Sequence, residues 1–142
     1  MRITRSAISL NVSDPDSSAA FLERHLGFRR DMAADGFVSL SHEEAGFNVA
    51  FLRVGLPTFK PRAHAETPAA GLLIVFEVDD VDAAYDRMVS EGVPITTAIE
   101  TEEWGGRFFQ ITDPCGVLLQ LVQWVSAPPA TATDRGTGSN VR

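Results

Sequence analysis

The stretch 72-LLIVFEVDDVDAAYDRMVSEGV-93 reads as a strand that runs into a helix. Its apolar first part closes on the acidic pair Asp79–Asp80, either of which can cap the helix. From there Val81, Ala84, Tyr85 and Met88 recur at helical spacing, and Gly92 is a natural stop. The same order occurs once before, in 10-LNVSDPDSSAAFLERHLGF-28. There Ser13 or Asp14 caps, Pro15 sits in the first turn, Ala19, Leu22 and Leu26 mark the apolar face, and Gly27 terminates. Val12 and Val78 lie 66 residues apart, and Gly27 and Gly92 lie 65 apart. A duplicated unit with one small adjustment between its copies is the expectation.

Working outward, residues 7–14 alternate: Ile8, Leu10 and Val12 fall on one face, and Ala7, Ser9 and Asn11 on the other. Two strands are expected around 36–41 and 47–54, joined by the polar turn 41-SHEEAG-46. The segment 55-GLPTFKPRAHAETPAAG-71 has prolines and no periodicity, so it reads as a connector. Beyond the second helix come a strand near 95–99, a loop through Glu102–Gly106, and the hairpin in 104-WGGRFFQITDPCGVLLQLVQW-124. Pro114 suits the second position of its type I turn and Gly116 the last. The organisation reads as a duplicated unit of one strand, one helix and three strands, with every element marked in the second copy. Two such units are needed, because one four-stranded sheet under one helix leaves an apolar face uncovered.

This predicts an α+β fold of two βαβββ modules, with curved mixed sheets around a cup and helices on the outer face. The domain spans 1–126, with module one at 5–55, the connector at 56–70 and module two at 71–126. The tail 127–142, rich in Pro, Thr, Gly and Ser, is expected to be disordered.

Composition bounds the function. A formal net charge of −7 disfavours a nucleic-acid partner. No apolar run reaches membrane-spanning length, and the N-terminus lacks a signal-peptide pattern, so a cytoplasmic protein with no membrane contact is expected. The single cysteine, Cys115, excludes an internal disulfide and a cysteine-based zinc site.

The three quoted motifs, in this order and spacing, resemble the vicinal oxygen chelate superfamily, also called the glyoxalase/bleomycin-resistance/dioxygenase fold. The likeness covers roughly residues 5–125. In the superfamily's metal enzymes four strand positions supply the ligands of one divalent ion. The resemblance places Ala7, a residue near Ala50, Leu73 and Gln120 at those positions. Alanine and leucine carry no donor, and a lone neutral amide is a weak ligand. The resemblance therefore implies no metal and no other cofactor, with Ala7, Leu73 and Gln120 pointing into one cavity.

Candidate ligand-binding residues come from parity and chemistry, each with a plainer reading beside it. Gln120 bonds either a ligand or neighbouring groups. Trp104 is either an aromatic lid or packs under its own loop, and Arg107 either fixes a carboxylate or is solvated. Ser9 and Asn11 share the parity of Ala7 and offer polar contacts at the cup floor. Glu77, on the parity of Leu73, selects a cation or is simply solvated at a strand end. Phe59 is the connector's aromatic candidate. His25 reads as a surface group near a helix end, His42 and His64 lie in a turn and the connector, and Cys115 lies in an exposed turn. No catalytic residue is assigned.

The favoured function is a metal-free protein of the bleomycin-resistance type, which implies antibiotic resistance. A homodimer of this kind holds an aromatic or amphipathic small molecule in the cup. The alternative is a lyase, isomerase or dioxygenase-like enzyme of the same superfamily with an atypical or absent metal site. A third reading is an accessory protein acting through protein contacts.

Overall fold

The computed structural model describes residues 1–58 and 60–126; Phe59 and the tail 127–142 lie outside the described residues. The chain runs β1 (Ala7–Val12), α1 (Pro15–Leu26), β2 (Arg29–Ala34), β3 (Phe37–Ser41), β4 (Asn48–Arg53) and a helical turn α2 (Arg62–Ala65). It continues through β5 (Leu73–Glu77), α3 (Val81–Ser90), β6 (Ile95–Thr101), β7 (Gly106–Thr112) and β8 (Leu118–Trp124). The strands form two four-stranded mixed sheets of identical topology, β1-β4-β3-β2 and β5-β8-β7-β6. They are curved but not closed. This is the expected pair of βαβββ modules in an α+β fold.

The local chemistry repeats with the topology. Asp14 caps α1, accepting from the Ser17 amide at 3.3 Å and the Ser17 hydroxyl at 2.7 Å. Asp80 caps α3 by accepting from the Ala83 amide at 3.1 Å. Helix α1 lies on β2, β3 and β4, and α3 on β6, β7 and β8. One apolar core runs through both modules, with Leu10, Leu22, Val49 and Phe51 on one side and Ile74, Met88, Phe109 and Leu121 on the other.

Strand β2 is an element that the sequence pattern does not locate. Its residues, RRDMAA, form an edge strand exposed at nearly every position, with a register shift between Arg30 and Met32. Without a buried face there is no apolar alternation to read.

His25 corrects an expectation. It is 8% exposed, and its Nδ1 lies 2.7 Å from Glu91 Oε1. Arg87 adds a bond to the His25 carbonyl at 3.0 Å. His25 and Glu91 are 66 residues apart, the repeat distance, so equivalent ends of the two helices meet. Cys115 is half-buried rather than exposed, with its Sγ 3.4 Å from the Asp14 carbonyl of the other module. Its turn forms as expected, closed by the Gly116 amide donating to the Asp113 carbonyl at 3.0 Å.

Candidate functional site

Strand alternation divides each sheet into a face under its helix and an open face. On β1 the helix face is Ile8, Leu10 and Val12; Ala7, Ser9 and Asn11 are on the open face, in register with Asn48, Ala50 and Leu52 of β4. In the second sheet Leu73, Val75 and Glu77 pair with Leu118, Gln120 and Val122. Gln120 in turn pairs with Gln110 of β7.

The centre of this second open face is an amide ladder. Thr97 donates to Gln110 Oε1 at 2.8 Å, and Gln110 Nε2 donates to Gln120 Oε1 at 2.8 Å. The carbonyl of Gln120 is thus engaged, while its own N–H groups have no partner among the described residues. Apolar side chains surround the ladder: Leu73 is 39% exposed and Val75 is 43% exposed.

At one end of the face, Gly106 pairs with Trp124. A Cβ on Gly106 would stand 3.5 Å from Trp104 Nε1, 3.5 Å from Trp124 Cζ3 and 3.6 Å from Val122 Cγ2. Two indoles therefore flank a bare backbone. Trp104 is 51% exposed, so it is not packed under its own loop. The Trp124 indole nitrogen is buried without a hydrogen-bond partner among the described residues. Apolar periodicity does not single out Trp124, Gln110 or Thr97. Folding the hairpin about its Asp113–Gly116 turn is the signal that finds two of them, since it sets Gln110 opposite Gln120 and Gly106 opposite Trp124.

The remaining candidates separate. Arg107 is in register with Gln123 on the helix face and holds Asp82 of α3, with Nη2 2.8 Å from Oδ1. This hydrogen bond lowers the Asp82 carboxyl below its usual range. The structure does not bring Arg107 to the open face. Asn11 is on that face but covered: its amide donates to the His64 carbonyl at 2.8 Å and the Thr67 carbonyl at 3.0 Å, pinning the connector. Ser9 lines a cavity of about 360 Å³ beside the same connector. Glu77 lines a separate crevice with His42 and Glu44.

A neighbouring cavity of about 340 Å³ takes in Leu73 and Leu118 but neither Ala7 nor Gln120, so it does not unite those three positions. The four positions implied for a metal are Ala7, a residue near Ala50, Leu73 and Gln120. Three carry hydrocarbon only, and the amide oxygen of the fourth already accepts from Gln110. This donor set does not fit a divalent ion. No group of three or more His, Cys, Asp or Glu suited to a metal occurs among the described residues. Among them, too, no helix is long and apolar enough to cross a membrane.

Doubled βαβββ modules with an open sheet face define a class that comparison bears out. Residues 4–121 match the family described as the Glyoxalase/Bleomycin resistance protein/Dioxygenase superfamily, and the chain belongs to it. A glyoxalase/bleomycin resistance protein/dioxygenase from Nocardioides superposes with a TM-score of 0.70 at 20% identity, over 92% of this chain and 90% of that one. Lactoylglutathione lyase from Agrobacterium tumefaciens gives 0.68 at 18% identity, over 86% and 94%. At these identities the likeness is one of fold. An uncharacterized Mycobacterium bovis protein is 34% identical over 62 residues, which are 44% of this chain and 39% of that relative. The match thus spans about two-fifths of the relative's length.

Proposed function

We propose that the protein is a metal-free binder that holds an aromatic or amphipathic small molecule on the open face of its sheets, as a homodimer. The observation that carries this reading is the second open face. Solvent-accessible Leu73 and Val75 flank an amide, Gln120, whose donors are unused, and exposed Trp104 stands at the end of the same face. Apolar walls with a few oriented polar groups are what a small-molecule site requires. Two indoles beside Gly106 favour a planar ring, which stacks on them. The hydrocarbon at Ala7, Ala50 and Leu73 supports binding without metal-assisted chemistry. Sequestration of an antibiotic, in the manner of the bleomycin-resistance branch, is the biological role this reading implies.

The test is a thermal-shift and equilibrium-dialysis screen of aromatic natural products, with elemental analysis of protein purified without chelator. Stabilisation by a planar aromatic compound, weakened about tenfold or more by Trp104→Ala, is the expected result. Stoichiometric zinc, nickel, iron or manganese, or no stabilisation across the panel, would overturn it.

A further inference from the structure

We infer that the crevice between the β3–β4 turn and the end of β5 is a second binding site, for a compact organic cation such as an aryl- or alkylammonium. It is separate from the open-face site and does not rest on that reading. Three segments build it: Leu26 and Phe28 at the end of α1 and just beyond, His42, Glu44 and Ala45 in the turn, and Phe76, Glu77 and Val78 at the strand end. Its volume is about 150 Å³, enough for a small amine and too little for a drug-sized molecule.

The walls are aromatic. The Phe28 ring is centred 5.1 Å from that of His42 and 5.7 Å from that of Phe76, and Phe47 stacks on Phe76 at 6.0 Å. His42 Nδ1 accepts the Glu44 amide hydrogen at 3.0 Å, so the proton of the neutral ring sits on Nε2. The rim carries charge of one sign. Glu44 and Glu77 both line the crevice, no lysine or arginine does, and neither carboxylate has an ion pair among the described residues. Ring faces attract a cation through their quadrupole, and two unneutralised carboxylates add to that field.

The internal duplication offers a comparison. The junction related to this one by the repeat lies between the end of β1 and the β7–β8 turn. There Cys115 reaches across, with Sγ 3.4 Å from the Asp14 carbonyl and 3.6 Å from Ser13 Oγ. The first module's turn, 41-SHEEAG-46, puts acidic and small residues at the related place and leaves the crevice open. The two junctions therefore differ in chemistry: a thiol stands at one, while two carboxylates and an imidazole line the other.

The test is a two-dimensional amide NMR titration with benzyltrimethylammonium, with benzyl alcohol and benzoate as neutral and anionic controls. The expected result is saturable shifts confined to the amides of residues 42–45 and 76–78 for the cation alone. Glu44→Gln and Glu77→Gln should each weaken it about threefold, and the double variant about tenfold. Both carboxylates are exposed and unpaired, so an unchanged far-UV spectrum and Tm are expected for these variants. Shifts centred on Gln120 and Trp104, equal response to the neutral control, or affinity indifferent to the double variant would overturn the inference. It can fail while the open-face reading stands, because the Trp104→Ala screen probes the other site.

Discussion

Among single residues, Gly105 is the most constrained position near the candidate site. Its φ is +98°, and a Cβ there would run into Ser126 Oγ and lie 2.9 Å from the Ser126 carbonyl oxygen. The hydroxyl can rotate away, but the backbone oxygen cannot, so Gly105→Ala is expected to destabilise by about 1 to 3 kcal/mol. Gly106→Ala meets only ordinary contacts and should change stability by less than about 1 kcal/mol. Paired denaturant melts check the contrast, and equal losses would show that the loop yields as a whole. Side-chain parity alone puts Gln120 on an open face, and the register agrees. Parity does not name partners, however. The Asn11 amide is engaged by connector carbonyls more than 50 residues away, and Arg107 by a carboxylate on α3. Such partners depend on how elements pack, which periodicity does not encode.

For the secondary-structure elements, the meeting of α1 and α3 is where the duplication has mechanical consequences. The His25 ring packs edge-on against Phe21 with centroids 4.9 Å apart, and its Nδ1 reaches Glu91. Hydrogen bonding from His25, then from Arg87, holds the Glu91 carboxyl below the usual glutamate range. A carboxyl whose folded pKa is depressed contributes stability above its unfolded value, about 4.3, and loses that contribution as pH falls through the folded value. Glu91→Gln should therefore be less stable than the parent at pH 7, and the gap should close in acid below pH about 4. Urea midpoints across that range measure it; a gap independent of pH would show that the bond carries no linkage. His25→Ala, which also vacates a buried site, should cost about 1 to 3 kcal/mol. Both capped helices, the hairpin and the connector are legible in the sequence because each has a buried face or a marked turn. Strand β2 is not, since hydrogen bonding to β3 rather than burial defines it. The burial of His25 is equally hidden, because exposure at a helix end depends on whether another module covers it.

At the scale of the whole molecule, the open face carries a run of exposed apolar side chains. Leu72, Leu73 and Val75 are 40%, 39% and 43% exposed side by side on β5 and its approach, an apolar patch at the module junction. The first sheet adds Met32, 62% exposed, whose partner in β3 is the open-face residue Ser39. Exposed apolar surface of this kind, rimmed by polar groups such as Gln120, is what association removes from water. A closed two-fold arrangement covers the same patch on both copies at once. If a second copy completes the face, light scattering at micromolar concentration will give a mass twice 15.4 kDa. Val75→Asp should then return the protein to a monomer, because burying two unpaired carboxylates opposes association. Val75 is already 43% exposed in the single chain, so the variant should keep its far-UV spectrum and most of its stability. Dissociation should also weaken any open-face ligand, while leaving the cation crevice unaffected, since Phe28, His42, Glu44, Phe76 and Glu77 all come from one chain. A monomeric parent at those concentrations, or a Val75→Asp variant that remains dimeric, would mean that β5 is not where two copies meet.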